Sequence, residues 1–194
     1  MKSSNVKFPA VYIDRDGTIN VEAGYISHPD NFYLYPFAAH AIRLFNLKHF
    51  YVFIVTNQTG LAKGYFDLKT LNNIHKKMIS LINASGAFIN KIYICRHDKN
   101  ATVKKYKKDC NCKKPREGLI LKSFEEYNNI DRENIYMIGD KYSDIAISSY
   151  INFKKTILVK TGYGLATLNN LKKKDIKSTI VSENLLYAAL EILK

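Results

Sequence analysis

Two carboxylates stand one residue apart in Asp14-Arg15-Asp16-Gly17-Thr18-Ile19-Asn20, directly after the apolar run Val11-Tyr12-Ile13. Such a run reads as a buried strand delivering acids into a loop. In an open parallel sheet, ligands bind beyond the carboxyl ends of the strands, so Asp14 and Asp16 are candidates for chemistry. An isolated D-x-D-G is as readily an ordinary turn after a strand. A second group is Cys95-Arg96-His97 with Cys110-Asn111-Cys112, which offers three thiolates and one imidazole, a full tetrahedral set for Zn²⁺. Coincidental free cysteines are the competing reading, but C-x-H with C-x-C is compact and leaves no ligand over. These are the chain's 3 cysteines, an odd count in one short region and a poor disulfide framework.

The elements that must position these residues follow from hydrophobic periodicity. Residues 8–13 read as a strand, and residues 21–36, with Gly24-Tyr25-Ile26-Ser27-His28-Pro29, as a long loop of the kind that is usually functional. Helical spacing of Ala38, Ile42, Leu44, Phe45 and Leu47 predicts a helix over 37–48, and residues 51–55 predict a second strand ending in Thr56-Asn57-Gln58-Thr59-Gly60. A helix over 68–82 through Leu71, Ile74, Met78, Ile79 and Ile82, then a strand at 92–94, establish the βαβαβ alternation of a parallel sheet. Residues 95–118 break this rhythm as an irregular insertion that needs internal support. A helix over 119–127, a strand at 134–138 delivering Gly139-Asp140-Lys141-Tyr142-Ser143-Asp144, a helix over 145–150 and a strand at 156–159 follow. The tail predicts a lysine-rich segment, a short strand at 179–181 and an amphipathic helix over 185–193.

At 194 residues and 46% hydrophobic content the chain predicts one domain, residues 1–194, with residues 95–113 as a zinc-binding loop inside it. The 30 basic residues outnumber 17 acidic ones for a net charge of +13, which suggests attraction to anions such as phosphorylated metabolites, nucleic acid or acidic lipid without choosing among them. Apart from Lys104-Lys105-Tyr106-Lys107-Lys108 and Lys172-Lys173-Lys174 the lysines are scattered, which favours an ordinary solvated surface. No stretch approaches the length of a membrane span, and residues 1–8 lack the apolar core of a signal peptide, so the expectation is a soluble, cytoplasmic protein, with no membrane partner.

The order of Asp14-x-Asp16, Thr56, Lys114, and Asp140 with Asp144 resembles the haloacid dehalogenase superfamily over about residues 8–164. The resemblance implies a Rossmann-like three-layer α/β fold with a parallel sheet, the zinc loop as a small insertion and no large cap domain. It implies a phosphatase in which Asp14 is the nucleophile forming an aspartyl-phosphate and Asp16 is acid, then base. Asp16 would then need a pKa nearer the working pH than a free carboxyl has. Thr56 and Lys114 would hold the phosphoryl oxygens, and Mg²⁺ would take Asp14, the Asp16 main-chain carbonyl and Asp140 as ligands. Asp144 would orient the site from behind, or equally serve only as an acidic residue in a helix's first turn.

Within the superfamily, the zinc ligands Cys95, His97, Cys110 and Cys112 together with Asp14-Arg15-Asp16-Gly17-Thr18-Ile19-Asn20 resemble the subgroup of heptose 1,7-bisphosphate and histidinol-phosphate phosphatases. Gly24-Tyr25-Ile26, residues 57–64 and Gly139-Asp140-Lys141 lean toward the heptose enzymes, whose product feeds ADP-heptose and lipopolysaccharide core synthesis. By that resemblance Glu22, Ala23, Gly24, Tyr25, Thr56, Asn57, Gln58, Thr59, Lys113, Lys114 and Lys141 contact substrate. Lys113 departs from the usual arginine, exchanging a planar fork for a point charge. His28, His40, His49 and His75 read as surface or packing residues. Histidinol phosphate or another small phosphate ester is the alternative substrate. A nucleic-acid 3′-phosphatase is less expected, since the chain has no P-loop and no evident aromatic stacking platform. A monomer is expected.

Overall fold

The computed structural model describes residues 6–171 and 179–194. The Lys172–Lys174 cluster and most of the lysine-rich tail segment lie outside the described residues. The chain order is β1 (Phe8–Ile13), α1 (Ala38–Leu47), β2 (Tyr51–Asn57), α2 (Gly60–Lys63), α3 (Leu68–Ala84), β3 (Lys91–Cys95), α4 (Gly118–Glu126), β4 (Ile130–Gly139), α5 (Tyr142–Ala146), β5 (Lys155–Val159), α6 (Gly164–Asn170), β6 (Thr179–Ser182) and α7 (Leu185–Leu193). Six strands form one sheet in the order β3-β2-β1-β4-β5-β6, every pairing parallel.

Parallel strands buried on both faces read as continuous apolar runs rather than alternating ones, which is why they were legible. Along β1, Val11 and Ile13 face one layer with Val52, Ile54, Ile138 and Ile157, against Ile42 and Phe45 of α1, Ile74 and Met78 of α3, and Leu185 and Ala188 of α7. Ala10 and Tyr12 face the other with Phe53, Val55, Tyr93 and Met137, against Leu119 and Ile120 of α4. The result is the expected three-layer α/β sandwich. Helix starts are set by side chains: Asp67 Oδ1 accepts the Thr70 N–H at 2.7 Å before α3, and Asn184 Oδ1 accepts from Leu186 and Tyr187 before α7.

Three differences from the sequence expectations have local causes. β4 begins four residues earlier than its apolar run because Asp131, Arg132 and Glu133 sit in an irregular stretch, where the register with β1 jumps from Phe8 opposite Ile130 to Ala10 opposite Ile135. Leu47 and Ile79, counted among the apolar faces of their helices, point toward solvent at 63% and 38% exposure, since those faces centre on Phe45 and on Ile74–Met78. The short helices α2 and α6 carry too few turns to leave a periodic pattern.

The order of strands reverses between β1 and β4, and this switch point is where ligands bind in doubly wound sheets. Asp14 leaves β1 there, its N–H donating to Ile138 O at 2.9 Å, with Thr56 near the end of β2 on one side and Asp140 after β4 on the other.

Candidate active site and metal-binding loop

Asp14, Asp140 and Asp144 are each at most 5% exposed, and one oxygen from each lies within 4.8 Å of the others. The buried Lys114 ammonium balances part of this charge, 2.8 Å from Asp14 Oδ1 and 2.6 Å from Asp144 Oδ1, and donates to Val55 O at 2.7 Å. Burial works to lower the Lys114 pKa, but the Asp14 and Asp144 carboxylates outweigh it and hold it above the ordinary lysine value. Asp144 is pushed up to about 6, chiefly by burial against the pull of Lys114. It also accepts the Lys141 N–H at 3.0 Å, so it both pins the start of α5 and orients Lys114.

Asp140 is pushed up to about 8 by burial and by the charges of Asp14 and Asp144. Its Oδ2 accepts the Tyr163 N–H at 2.8 Å, and its Oδ1 is buried with no hydrogen-bond partner. An orphaned buried carboxylate oxygen beside two further acids and one lysine is the donor set of a hard divalent cation such as Mg²⁺. Gly17 at φ +85° and Gly162 at φ +58° press against Asp140 so closely that a Cβ on either would overlap its Oδ2. The turn after β5 and the helix that follows complete this brace: Thr161 Oγ1 donates to Gly17 O at 2.6 Å, and Thr167 Oγ1 of α6 to Asp140 O at 2.8 Å. Sequence reasoning gave Thr161, Tyr163 and Thr167 no role. The one available signal was Gly162 and Gly164 immediately after a strand's carboxyl end.

Asp16 differs from expectation. Burial works to raise its carboxyl, but the Arg15 guanidinium and hydrogen bonds from Gln58 and Asn20 outweigh it and hold the pKa below the ordinary carboxylate value, not nearer neutrality. Arg15 Nη2 reaches both oxygens at 2.8 and 2.7 Å, and Gln58 Nε2 donates to Oδ2 at 2.8 Å.

Two adjoining cavities share Asp16, Asn57 and Lys141. The small one, about 30 Å³, lies between Asp14, Asp16, Thr56, Asn57, Lys114, Lys141 and Ser143. The larger, about 340 Å³, is lined by Glu22, Gly24, Tyr25, Gln58, Thr59, Lys113 and Tyr163 among others. Most candidate contacts thus converge. Ala23 is the exception, exposed and on neither wall.

Several of the converging side chains hold one another. Asn57 clamps the Lys114 backbone, donating to Lys114 O at 3.1 Å and accepting its N–H at 3.0 Å. Gln58 also donates to Thr56 Oγ1 at 2.8 Å, which leaves the Thr56 hydroxyl hydrogen for another acceptor. Glu22 pairs with Lys141 at 2.8 Å, and the Lys141 ammonium lies 4.9 Å from the centre of the Tyr163 ring. Lys113 is paired with Asp98 at 2.7 Å. His28, His40 and His49 are exposed, and His75 is buried.

The insertion folds around its cysteines. Cys112 Sγ lies 3.1 Å from Cys95 Sγ and 3.2 Å from Cys110 Sγ, Cys95 and Cys110 are 3.6 Å apart, and His97 Nδ1 is 3.3 Å from Cys112 Sγ. Four ligand atoms this close, with no disulfide, fit one tetrahedral zinc ion. Ala101 and Tyr106 of the loop pack on Leu61, Ala62 and Leu71, which ties it to α2 and α3. Lys113 and Lys114 follow Cys112 directly, so this cluster fixes the start of the segment that enters the candidate site.

A family model described as HAD-hyrolase-like matches residues 111–188. The D-glycero-beta-D-manno-heptose-1,7-bisphosphate 7-phosphatase of Photorhabdus laumondii is 35% identical over 154 residues, spanning 79% of this chain and 81% of that protein. The chain belongs to this phosphatase family. The Escherichia coli K12 protein of the same name is 34% identical, spanning 79% of this chain and 80% of that protein. The heptose bisphosphate phosphatase of B. bronchiseptica, solved with magnesium and phosphate, superposes with a TM-score of 0.83 at 29% identity, covering 96% of this chain and 98% of that one. Among the described residues no helix is long and apolar enough to cross a membrane.

Two outcomes follow from this geometry. Cys110→Ser lowers the zinc content and the melting temperature together, because a structural zinc contributes folding free energy. Zinc analysis of purified wild type beside the variant checks it, and zinc-free wild type that melts at the same temperature as the zinc-loaded protein contradicts it. The second concerns Asp140, whose folded pKa near 8 lies above its ordinary 3.8. The folded state therefore binds more protons than the unfolded state, and stability falls as pH rises toward 8. Burial and Arg15 lower His75 to about 3, which acts in the opposite sense below its ordinary 6.5, so the clean window is about pH 6.5 to 8. Zinc-loaded protein freed of Mg²⁺ should lose melting temperature across that window and regain it on adding Mg²⁺. A flat metal-free profile contradicts the strained carboxylate cluster.

Proposed function

We propose that this protein removes the 7-phosphate of D-glycero-D-manno-heptose 1,7-bisphosphate, by way of an aspartyl-phosphate on Asp14. The observation that carries the reading is the pair of adjoining cavities: a small one facing Asp14 and Lys114, and a larger one carrying the further cations Lys113 and Lys141. The names of the relatives favour a heptose substrate over histidinol phosphate or a nucleic-acid end. We read residues 1–194 as a single phosphatase domain that includes the 95–113 loop. The working unit in this reading is one chain. A cytoplasmic location goes with the reading, because reduced thiols suit a zinc loop there.

In this mechanism Asp14 attacks phosphorus in line with the departing sugar oxygen. Lys114, held by Asp14 and Asp144, and the Thr56 hydroxyl neutralise and orient the phosphoryl oxygens. Asp14, the Asp16 carbonyl and Asp140 would hold Mg²⁺, which supplies charge neutralisation at the phosphoryl group when bound. Arg15, Gln58 and Asn20 favour the Asp16 carboxylate, so it protonates the leaving oxygen from the minority of enzyme that carries its proton, then as carboxylate takes a proton from the water that hydrolyses the acyl phosphate. Glu22 and Tyr163 keep Lys141 extended toward the cavity, and Lys113 reaches the distal phosphate by exchanging its Asp98 partner for it.

Asp14→Asn should abolish turnover in a folded protein, since the amide is nearly isosteric but does not attack phosphorus. Activity above about 1% of wild type contradicts covalent catalysis, because loss of a nucleophile costs orders of magnitude in rate. For substrate choice, kcat/KM for the heptose bisphosphate should exceed that for histidinol phosphate by about a hundredfold, or about 2.7 kcal/mol. The amine of histidinol phosphate meets a lysine-lined rim, and like charges cost several kcal/mol in specificity. Lys113→Ala should narrow the gap chiefly by weakening the bisphosphate reaction. Equal efficiency on both would falsify the substrate while sparing the chemistry.

A further inference from the structure

His75 is a buried imidazole that the reaction as written does not use. It projects from α3, 6% exposed, and its Nε2 lies 3.0 Å from Arg15 Nη1. Arginine has five N–H donors and no acceptor, so Nε2 accepts and the ring carries its proton on Nδ1. The other side of the same guanidinium closes on Asp16: Nε donates to Oδ1 at 3.0 Å, and Nη2 to Oδ1 and Oδ2 at 2.8 and 2.7 Å. Arg15 is 1% exposed and its plane is rigid, so the direction in which Nη1 is held sets the direction in which Nε and Nη2 present themselves.

We infer that His75 is a positioning residue for the acid–base carboxylate, acting through Arg15 to hold the Asp16 side chain at the junction of the two cavities. Asp16 borders both cavities, so the atom that gives a proton to the leaving oxygen is the atom this chain of contacts aims. Asn20 Nδ2 at 3.1 Å and Gln58 Nε2 at 2.8 Å flank the carboxylate without replacing the fork. α3 is itself anchored, by the Asp67 cap and by Ile74 and Met78 in the core, so the imidazole is a fixed point. Without its acceptor, a buried guanidinium N–H loses its partner and the fork turns to find another, carrying Asp16 with it.

This inference rests on Asp16 being the general acid, and the test separates the two. The quantity kcat/KM contains only the steps up to leaving-group release. An alkoxide leaving group needs protonation, whereas p-nitrophenolate leaves unaided. His75→Leu should lower kcat/KM for the heptose bisphosphate about 30-fold and for p-nitrophenyl phosphate less than about threefold, a fraction of the 10²–10⁴ that general acid catalysis supplies. His75→Gln, whose amide oxygen restores an acceptor, should return the sugar phosphate to within about threefold of wild type. Asp16→Asn, the control, should discriminate between the two substrates at least as strongly. In wild type, nitrogen NMR of the His75 ring should find the proton on Nδ1.

If Asp16→Asn slows both substrates equally, the acid reading fails first. If it discriminates but His75→Leu does not, or if His75→Gln is as impaired as His75→Leu, the positioning role is overturned by itself. A proton on Nε2 overturns it without any activity measurement. Should His75→Leu not fold, His75→Asn and His75→Gln carry the comparison, because only an acceptor placed within reach of Nη1 rescues the sugar phosphate.

Discussion

Three buried carboxylates held together at the switch point of a parallel sheet are the constraint to which much of the structure answers. Asp14, Asp140 and Asp144 would repel one another in a low-dielectric site, and Lys114 neutralises only part of their charge. Breaking such a buried group of charges typically costs several kcal/mol, so neighbouring elements have to hold every member at once. The strained carboxylate at Asp140 is the part left for a divalent cation to relieve. Stability and the capacity to hold a cation therefore meet in the same few atoms.

Each member is fixed by a different part of the chain. Asp14 and Asp140 come from adjacent central strands, whose register is set by core residues such as Ile13 and Ile138. Lys114 arrives from a segment with no regular structure, and its placement depends on two devices. The cysteine cluster fastens the loop immediately before it, and Asn57 grips its backbone from the end of β2. The cysteine cluster thus supports the segment that carries the buried Lys114, and the insertion around it is packed against α2 and α3. On the far side, the Thr161–Tyr163 turn presses two glycines against Asp140 and closes the site from below.

The larger cavity obeys a different logic. Its two cations are both partnered: Lys141 with Glu22 and the Tyr163 ring, Lys113 with Asp98. Partnered lysines are extended rather than free to wander, and a doubly anionic ligand meets donors already aimed. The arrangement lowers the ordering cost of binding at the expense of some net charge. Lysine at position 113 makes that trade acute, since a single ammonium exchanges one partner for another where a guanidinium fork would keep two contacts.

The sequence by itself determined the sheet, the order of its central strands' acids and the clustering of Cys95, His97, Cys110 and Cys112. Each of these is encoded locally: continuous apolar runs make doubly buried strands, Asp14 and Asp140 follow such runs directly, and four ligands fall within 18 positions of one another, from Cys95 to Cys112. It did not determine which way the polar side chains turn. Asp16 was legible as an acid but not as one gripped by its neighbour Arg15, and Asn57 and Gln58 were legible as site residues but not as clamps on Lys114 and Asp16. His75 left no signal of its role, and Tyr163 only the indirect one of the glycines beside it, Gly162 and Gly164. Their partners lie 60 residues away for Arg15 and His75 and 23 for Asp140 and Tyr163, and no local pattern encodes a hydrogen bond between them. Only the packing of α3 and of the turn after β5 against the end of β1 and β4 brings those atoms together, because hydrogen bonds and ion pairs are short-ranged and directional while hydrophobic patterning is neither.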